Sequence, residues 1–132
     1  MDMKEWNLMI AKAKHNLNAC DVSNFLSCGT YSCVVLTEKG NVYSGININS
    51  NLQNISAEKA ALSNMVSNGE TKVKKILVMN ELEETILPID DLFMCLIELN
   101  IDLNKVLIFS KDQEYKMNDL VPDWWGTFRI SR

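Results

Sequence analysis

The run Ser56-Ala57-Glu58-Lys59-Ala60-Ala61-Leu62 opens a helix in the middle of the chain. Ser56 is a competent N-cap, because its hydroxyl oxygen accepts an N–H that the first turn leaves unpaired. Ala57, Ala61, Leu62 and Met65 recur on one side as far as Ser67, and Asn68-Gly69 supplies the stop. Glu58 falls in the first turn, where the helix dipole favours an acid. A second run, Pro88-Ile89-Asp90-Asp91-Leu92, opens another helix. Its apolar stripe is Ile89, Leu92, Phe93, Leu96 and Ile97, an i, i+3, i+4, i+7, i+8 set.

Strand-like segments surround these helices. Tyr31 to Thr37 and Val42 to Ile48 read as a hairpin joined by Glu38-Lys39-Gly40-Asn41. Val73 to Met79 and Lys105 to Phe109 read as buried strands, and Tyr115 to Val121 as a short last element. Upstream, Trp6, Met9, Ile10, Ala13 and Leu17 give residues 3–19 a helical stripe, while the polar residues 20–30 and 49–55 read as loops. The order is helix, strand, strand, helix, strand, helix, strand. Such alternation predicts crossovers that cover both faces of one sheet. The expected architecture is an α/β fold, a three-layer α/β/α sandwich with a mixed sheet of about five strands. Its first hairpin is antiparallel and its later strands are parallel.

At 132 residues, 47% hydrophobic and 23% charged, the chain is expected to form one globular domain over 1–132. A net charge of −4 argues against broad nucleic-acid binding, which needs a basic surface. The one basic cluster, Lys72, Lys74 and Lys75, reads as a solvated rim. No apolar run approaches the length of a membrane span and no signal pattern opens the chain, so a cytoplasmic protein with reduced thiols is expected. Cys20, Cys28, Cys33 and Cys95 include no Cys-x-x-Cys spacing, and burial is the default expectation for them. His15 reads as a surface residue.

In order and spacing these pieces resemble the cytidine deaminase family, the blasticidin S deaminase branch most closely. The family's signature is His- or Cys-x-Glu followed by Pro-Cys-x-x-Cys. Ser56-Ala57-Glu58 and Pro88-Ile89-Asp90-Asp91-Leu92 fit that frame. So do the strand-turn-strand Leu36 to Gly45, the stretch Gly45-Ile46-Asn47-Ile48, Asn80-Glu81 before Pro88, and Leu120-Val121-Pro122. The resemblance spans nearly the whole chain and implies a cytidine deaminase-like fold.

In the family, zinc converts water to hydroxide for attack on C4 of the pyrimidine, and the glutamate shuttles protons. The resemblance puts Glu58 in the glutamate's place and Ser56, Ile89 and Leu92 in the metal-ligand places. Aliphatic side chains cannot coordinate a metal and a neutral hydroxyl is a poor zinc ligand, so zinc is expected to be absent and no other cofactor is implied. Asp90 and Asp91, with Ser56 and Glu58, offer oxygens to Mg²⁺, but acids at helix starts are common for electrostatic reasons. The resemblance gives Asn47 a ribose contact and sets Asn49 where the family has a glutamate. It also sets Phe25 beside the base, although core packing is the plainer role for that residue. Tail aromatics close a neighbouring subunit's site in the family, which brings in Trp125 with Trp124 and Phe128.

The expected function is that of a cytidine deaminase-like pseudoenzyme that binds a pyrimidine nucleoside or base and self-associates as a homodimer or homotetramer. The alternatives are an aminohydrolase acting on cytidine or a blasticidin-like nucleoside through an atypical site, and a purely structural or protein-interaction module.

Overall fold

Alternation along two strands sorts the core into two layers. In the computed structural model, which describes residues 2–88, Leu96 and 102–120, β2 (Leu26–Thr37) and β4 (Val73–Asn80) run antiparallel at the centre of the sheet. Cys33, Val35, Ile76 and Val78 point to one face, and Val34, Leu36, Leu77 and Met79 to the other. Each set is buried, so along 33–36 and 76–79 neither face of these strands meets water.

Helix α1 (Lys4–Asn16) covers the second face with Trp6, Met9 and Ala13, all fully buried. Trp6 packs on Phe109 at a ring-centroid distance of 5.3 Å and donates its indole N–H to Glu114 Oε2 at 2.8 Å. The buried ring therefore carries no unsatisfied donor. Helix α2 (Ala57–Ser67) covers the first face with Ala57, Ala61, Leu62 and Met65. Leu96, itself helical and buried, and Leu103 and Met117 complete that layer. The result is the expected three-layer arrangement.

Among the described residues the sheet has seven strands rather than about five. β3 (Val42–Ser50) lies on one edge of β2, and β1 (Cys20–Ser23) and β4 share the other. β5 (Thr85–Ile86) and β6 (Leu107–Ser110) pair with β4, and β7 (Gln113–Lys116) pairs with β6. A short helix, α3 (Met117–Leu120), follows β7. Among these pairings only β4 with β6 is parallel, so the expectation that the later strands are parallel holds for that pair alone.

Three further expectations are corrected. Residues 20–30 are not a loop but the β1–β2 hairpin and the start of β2; the four residues of β1 are all exposed, so no alternation marks them. Lys75 is not a solvated rim residue. It is 6% exposed, its ammonium lies 2.9 Å from Glu5 Oε1 and 4.9 Å from the centre of the Trp6 ring, and those contacts compensate its burial. Burial as the default for cysteine holds for Cys33 but fails for Cys20, which is exposed.

The predicted helix starting at Pro88 falls largely outside the described residues, as do Ile89, Leu92 and Cys95. The tail with Trp124, Trp125 and Phe128 is outside them too.

Candidate functional site

The N-terminus of α2 is closed by its own cap. Ser56 adopts an extended backbone, and its Oγ accepts the Lys59 N–H at 3.1 Å. Within the first turn, Glu58 is only 4% exposed. Beneath the helix, the odd-numbered residues of β3 face α2. Gly45 is needed there for close approach: a Cβ at this position would lie 2.5 Å from Ala61 N and 2.6 Å from Ala60 Cβ. Further along β3, Asn47 and Asn49 face an opening beside the start of the helix.

This opening is a cavity of about 420 Å³. Asn47, Asn49, Ser56 and Glu58 line it, with Val78 and Ile86 as its apolar floor and Tyr31 and Ile55 also on its walls. Ile55 is held by a two-way backbone bridge to Ile48, at 2.9 and 2.8 Å. The mixture of apolar floor and a few polar side chains is that of a small-molecule pocket, and the volume falls in the usual range of about 300–1,000 Å³.

Asn47 is held rigidly. Its Oδ1 accepts the Tyr31 N–H at 2.8 Å and its Nδ2 donates to Thr30 Oγ1 at 2.8 Å. These bonds bridge the point where the β2–β3 register shifts, between Cys28 and Ser32. One amide hydrogen and one acceptor lone pair are left over for a ligand. Below the cavity, burial first and the neighbouring Glu58 carboxylate second push the Cys33 thiol well above its ordinary 9.0. Cys33 therefore stays a neutral thiol at the base of the site.

Among the described residues, no group of three or more His, Cys, Asp or Glu side chains converges to hold a metal ion. Of the three positions that the resemblance assigns to metal ligands, only Ser56 is described, and its oxygen already serves the helix cap. Ile89 and Leu92 have no lone pair to offer. A capped hydroxyl and two aliphatic groups do not fit the donor set of tetrahedral zinc.

The structure thus gathers four of the residues singled out from sequence, namely Asn47, Asn49, Ser56 and Glu58. Phe25 is not among the lining residues. It is 67% exposed at the turn of the β1–β2 hairpin, which overturns core packing as its role. There it lines a separate open cleft of about 580 Å³ with Asp21, Asn24 and Asn49. Trp125 lies outside the described residues. Tyr31 and Ile86 were missed. Tyr31 shares the parity of Cys33 and Val35, so extending that alternation would have placed it on the α2 face. Ile86 gave no signal, because a two-residue strand has no readable period.

No protein-family model matches the sequence, and no curated protein matches it. Solved structures do match. Cytidine deaminase from Mycobacterium tuberculosis superposes with a TM-score of 0.74 at 20% identity, covering 90% of this chain and 95% of that one. For the Mycobacterium leprae cytidine deaminase the values are 0.73, 16%, 89% and 97%. For the Burkholderia pseudomallei enzyme they are 0.66, 24%, 89% and 96%. At these identities the likeness is one of architecture, and it runs nearly end to end in both partners. The chain has the cytidine deaminase fold.

Proposed function

We propose that the cavity beside Glu58 binds a pyrimidine nucleoside or free base without a zinc centre, and that the protein is a non-catalytic relative of the deaminases. The observation that carries this reading is the placement of Glu58 and Asn47, 4% and 5% exposed, on the wall of one cavity. A carboxylate and an amide held in a partly apolar pocket suit the hydrogen-bonding edge of a pyrimidine and a ribose hydroxyl. Deamination needs an activated water as well. With Ser56 committed to the cap and Ile89 and Leu92 aliphatic, Glu58 alone would have to generate the nucleophile, from water of pKa ~15.7 rather than the ~7 reached on zinc.

Thermal unfolding with cytidine, uridine and cytosine tests the binding step, because a ligand that prefers the folded state raises Tm by mass action. The expected result is a concentration-dependent rise with at least one of the three and no ammonia release. Ammonia release from cytidine or a blasticidin-like nucleoside would instead make the protein an aminohydrolase with an atypical site. No shift with any of them would remove the binding reading.

A second reading, an interaction or self-associating module, is favoured by Val22, Phe25 and Leu52, large apolar side chains left exposed. Sedimentation at micromolar concentration tests it, with a homodimer or homotetramer expected and a monomer counting against it. A cytoplasmic location belongs to the same proposal. No helix among the described residues is long and apolar enough to cross a membrane.

A further inference from the structure

We propose that Cys20 and Cys28 form a redox-active dithiol, which closes to an intrachain disulfide when the folded protein meets a small-molecule disulfide such as oxidised glutathione. The two residues are direct Cα partners across the antiparallel β1–β2 pair. Directly opposed residues in such a ladder project to the same side of the sheet, with Cα atoms about 4.5 or 5.5 Å apart. Both values fall inside the range of about 4.4–6.8 Å that a disulfide spans.

The backbone holds the pair in register. Cys28 is also paired with Ile48 on its other edge. Gly29, at φ +83°, accepts the Asn18 N–H through its carbonyl at 3.2 Å, and any Cβ there would strike Asn18 O. The base of the hairpin is thus fixed on both sides of the dithiol. The bulge lies further along, between Asp21 and Ser23, and leaves the Cys20 register undisturbed.

Access separates the cysteines. Cys20 is exposed and Cys28 half-buried, whereas Cys33 is buried. Burial and the Glu58 carboxylate both disfavour the thiolate of Cys33, so that residue does not compete. In the exchange, the Cys20 thiolate attacks one sulfur of the small disulfide, breaks its S–S bond and releases one thiol. The Cys28 thiolate, having given its proton to solvent, then attacks the Cys20 sulfur and expels the second thiol. Two protein thiols are oxidised by two electrons, and one small disulfide is reduced to two thiols.

Opposed Cβ atoms in a ladder lie about 4.5–5.5 Å apart, and a disulfide draws them to about 3.5–4.5 Å. Closure therefore pulls β1 toward β2. β1 is a four-residue strand with every residue exposed, so it can follow that movement, and the exposed Cys20 sulfur leaves the bond open to reduction by thiols. The hairpin it staples carries Phe25 and forms one wall of the open cleft that Asn49, Ser50 and Asn51 complete.

The test incubates the full-length folded protein with oxidised glutathione and follows intact mass, then maps disulfides by proteolysis without reduction. The expected product has lost two hydrogens, carries no glutathione, links Cys20 to Cys28 and reverts in dithiothreitol. Amide exchange in residues 20–28 slows on oxidation. Cys20→Ser and Cys28→Ser each block closure, and Cys20 in the Cys28→Ser variant retains a glutathione adduct that the wild type resolves. A persistent adduct on wild-type Cys20, a bond to Cys33 or Cys95, a bond between two chains, or no reaction in the folded protein would each overturn the proposal.

Discussion

Gly45→Ala is the substitution that most directly probes how the site is built. The added methyl would sit 2.5 Å from Ala61 N, 2.6 Å from Ala60 Cβ and 2.7 Å from Ala60 C. Two of these atoms are helix backbone, so no rotamer change relieves the contact. Relief requires α2 to lift from β3, and α2 is tied to the core by Ala57, Ala61, Leu62 and Met65. Overpacking of this kind costs about 1–3 kcal/mol, and backbone contacts closer than 3 Å put Gly45→Ala in the upper half of that range. With an unfolding entropy near 2.1 cal/mol/K per residue, a loss of about 2–3 kcal/mol lowers Tm by about 7–11 °C in a chain of this length. Urea denaturation and thermal scanning measure both quantities. Gly40→Ala is the control. Gly40 has φ +88° with nothing within 4 Å of an added Cβ, so it reports conformational strain without a clash, about 1–2 kcal/mol. A loss at Gly45 below that at Gly40 would refute the close seating of α2 on β3 beside the cavity.

Acid should unfold the protein through two carboxylates. Lys75 and then Lys74 hold Glu5 below its ordinary 4.5, and the Tyr43 hydroxyl chiefly holds Glu70 below it, so stability present above pH 4.5 is lost as pH falls through the lower folded values. A Tm-versus-pH curve should therefore drop below pH 4.5 and drop less steeply in Glu5→Gln, where only the Glu70 contribution of the pair remains; an equally steep drop in that variant contradicts the linkage. At the β6–β7 turn, Lys111 and Asp112 occupy left-handed backbone at φ 51° and 63°, the type I′ geometry that Asn-Gly prefers. Lys111→Asn with Asp112→Gly should raise stability by about 0.5–1 kcal/mol in urea titration, and a loss would mean the native side chains support the turn. Placing Cys at positions 56, 89 and 92 together should create zinc binding detectable by elemental analysis; a folded triple variant that binds no more zinc than wild type would refute the alignment of those positions.

What the chain alone determined is local in origin. The cap at Ser56 and the stripe of α2 depend on neighbours within one or two turns, and so they were legible. The strict alternation along Cys33–Leu36 and Ile76–Met79 did the same for the central strands and their two packed faces. Asn47 and Glu58 were singled out through the family resemblance, which could be carried over residue by residue because the strand and helix that hold them are regular. What only the tertiary structure decided depends on residues far apart in sequence. β1 shows no alternation because all its residues face water, and β5 is too short to have a period, so only their pairing partners make them strands. Lys75 became a buried residue because Glu5 and Trp6, about seventy positions earlier, meet its ammonium. The opposition of Cys20 and Cys28 came from ladder register, which their spacing does not encode. The cavity itself is assembled from Tyr31 of β2, Asn47 and Asn49 of β3, the start of α2, Val78 of β4 and Ile86 of β5, which only the fold brings together. Side chains read one another along the chain by period, but they meet across the fold only once hydrogen-bond register and packing have set which strands are neighbours.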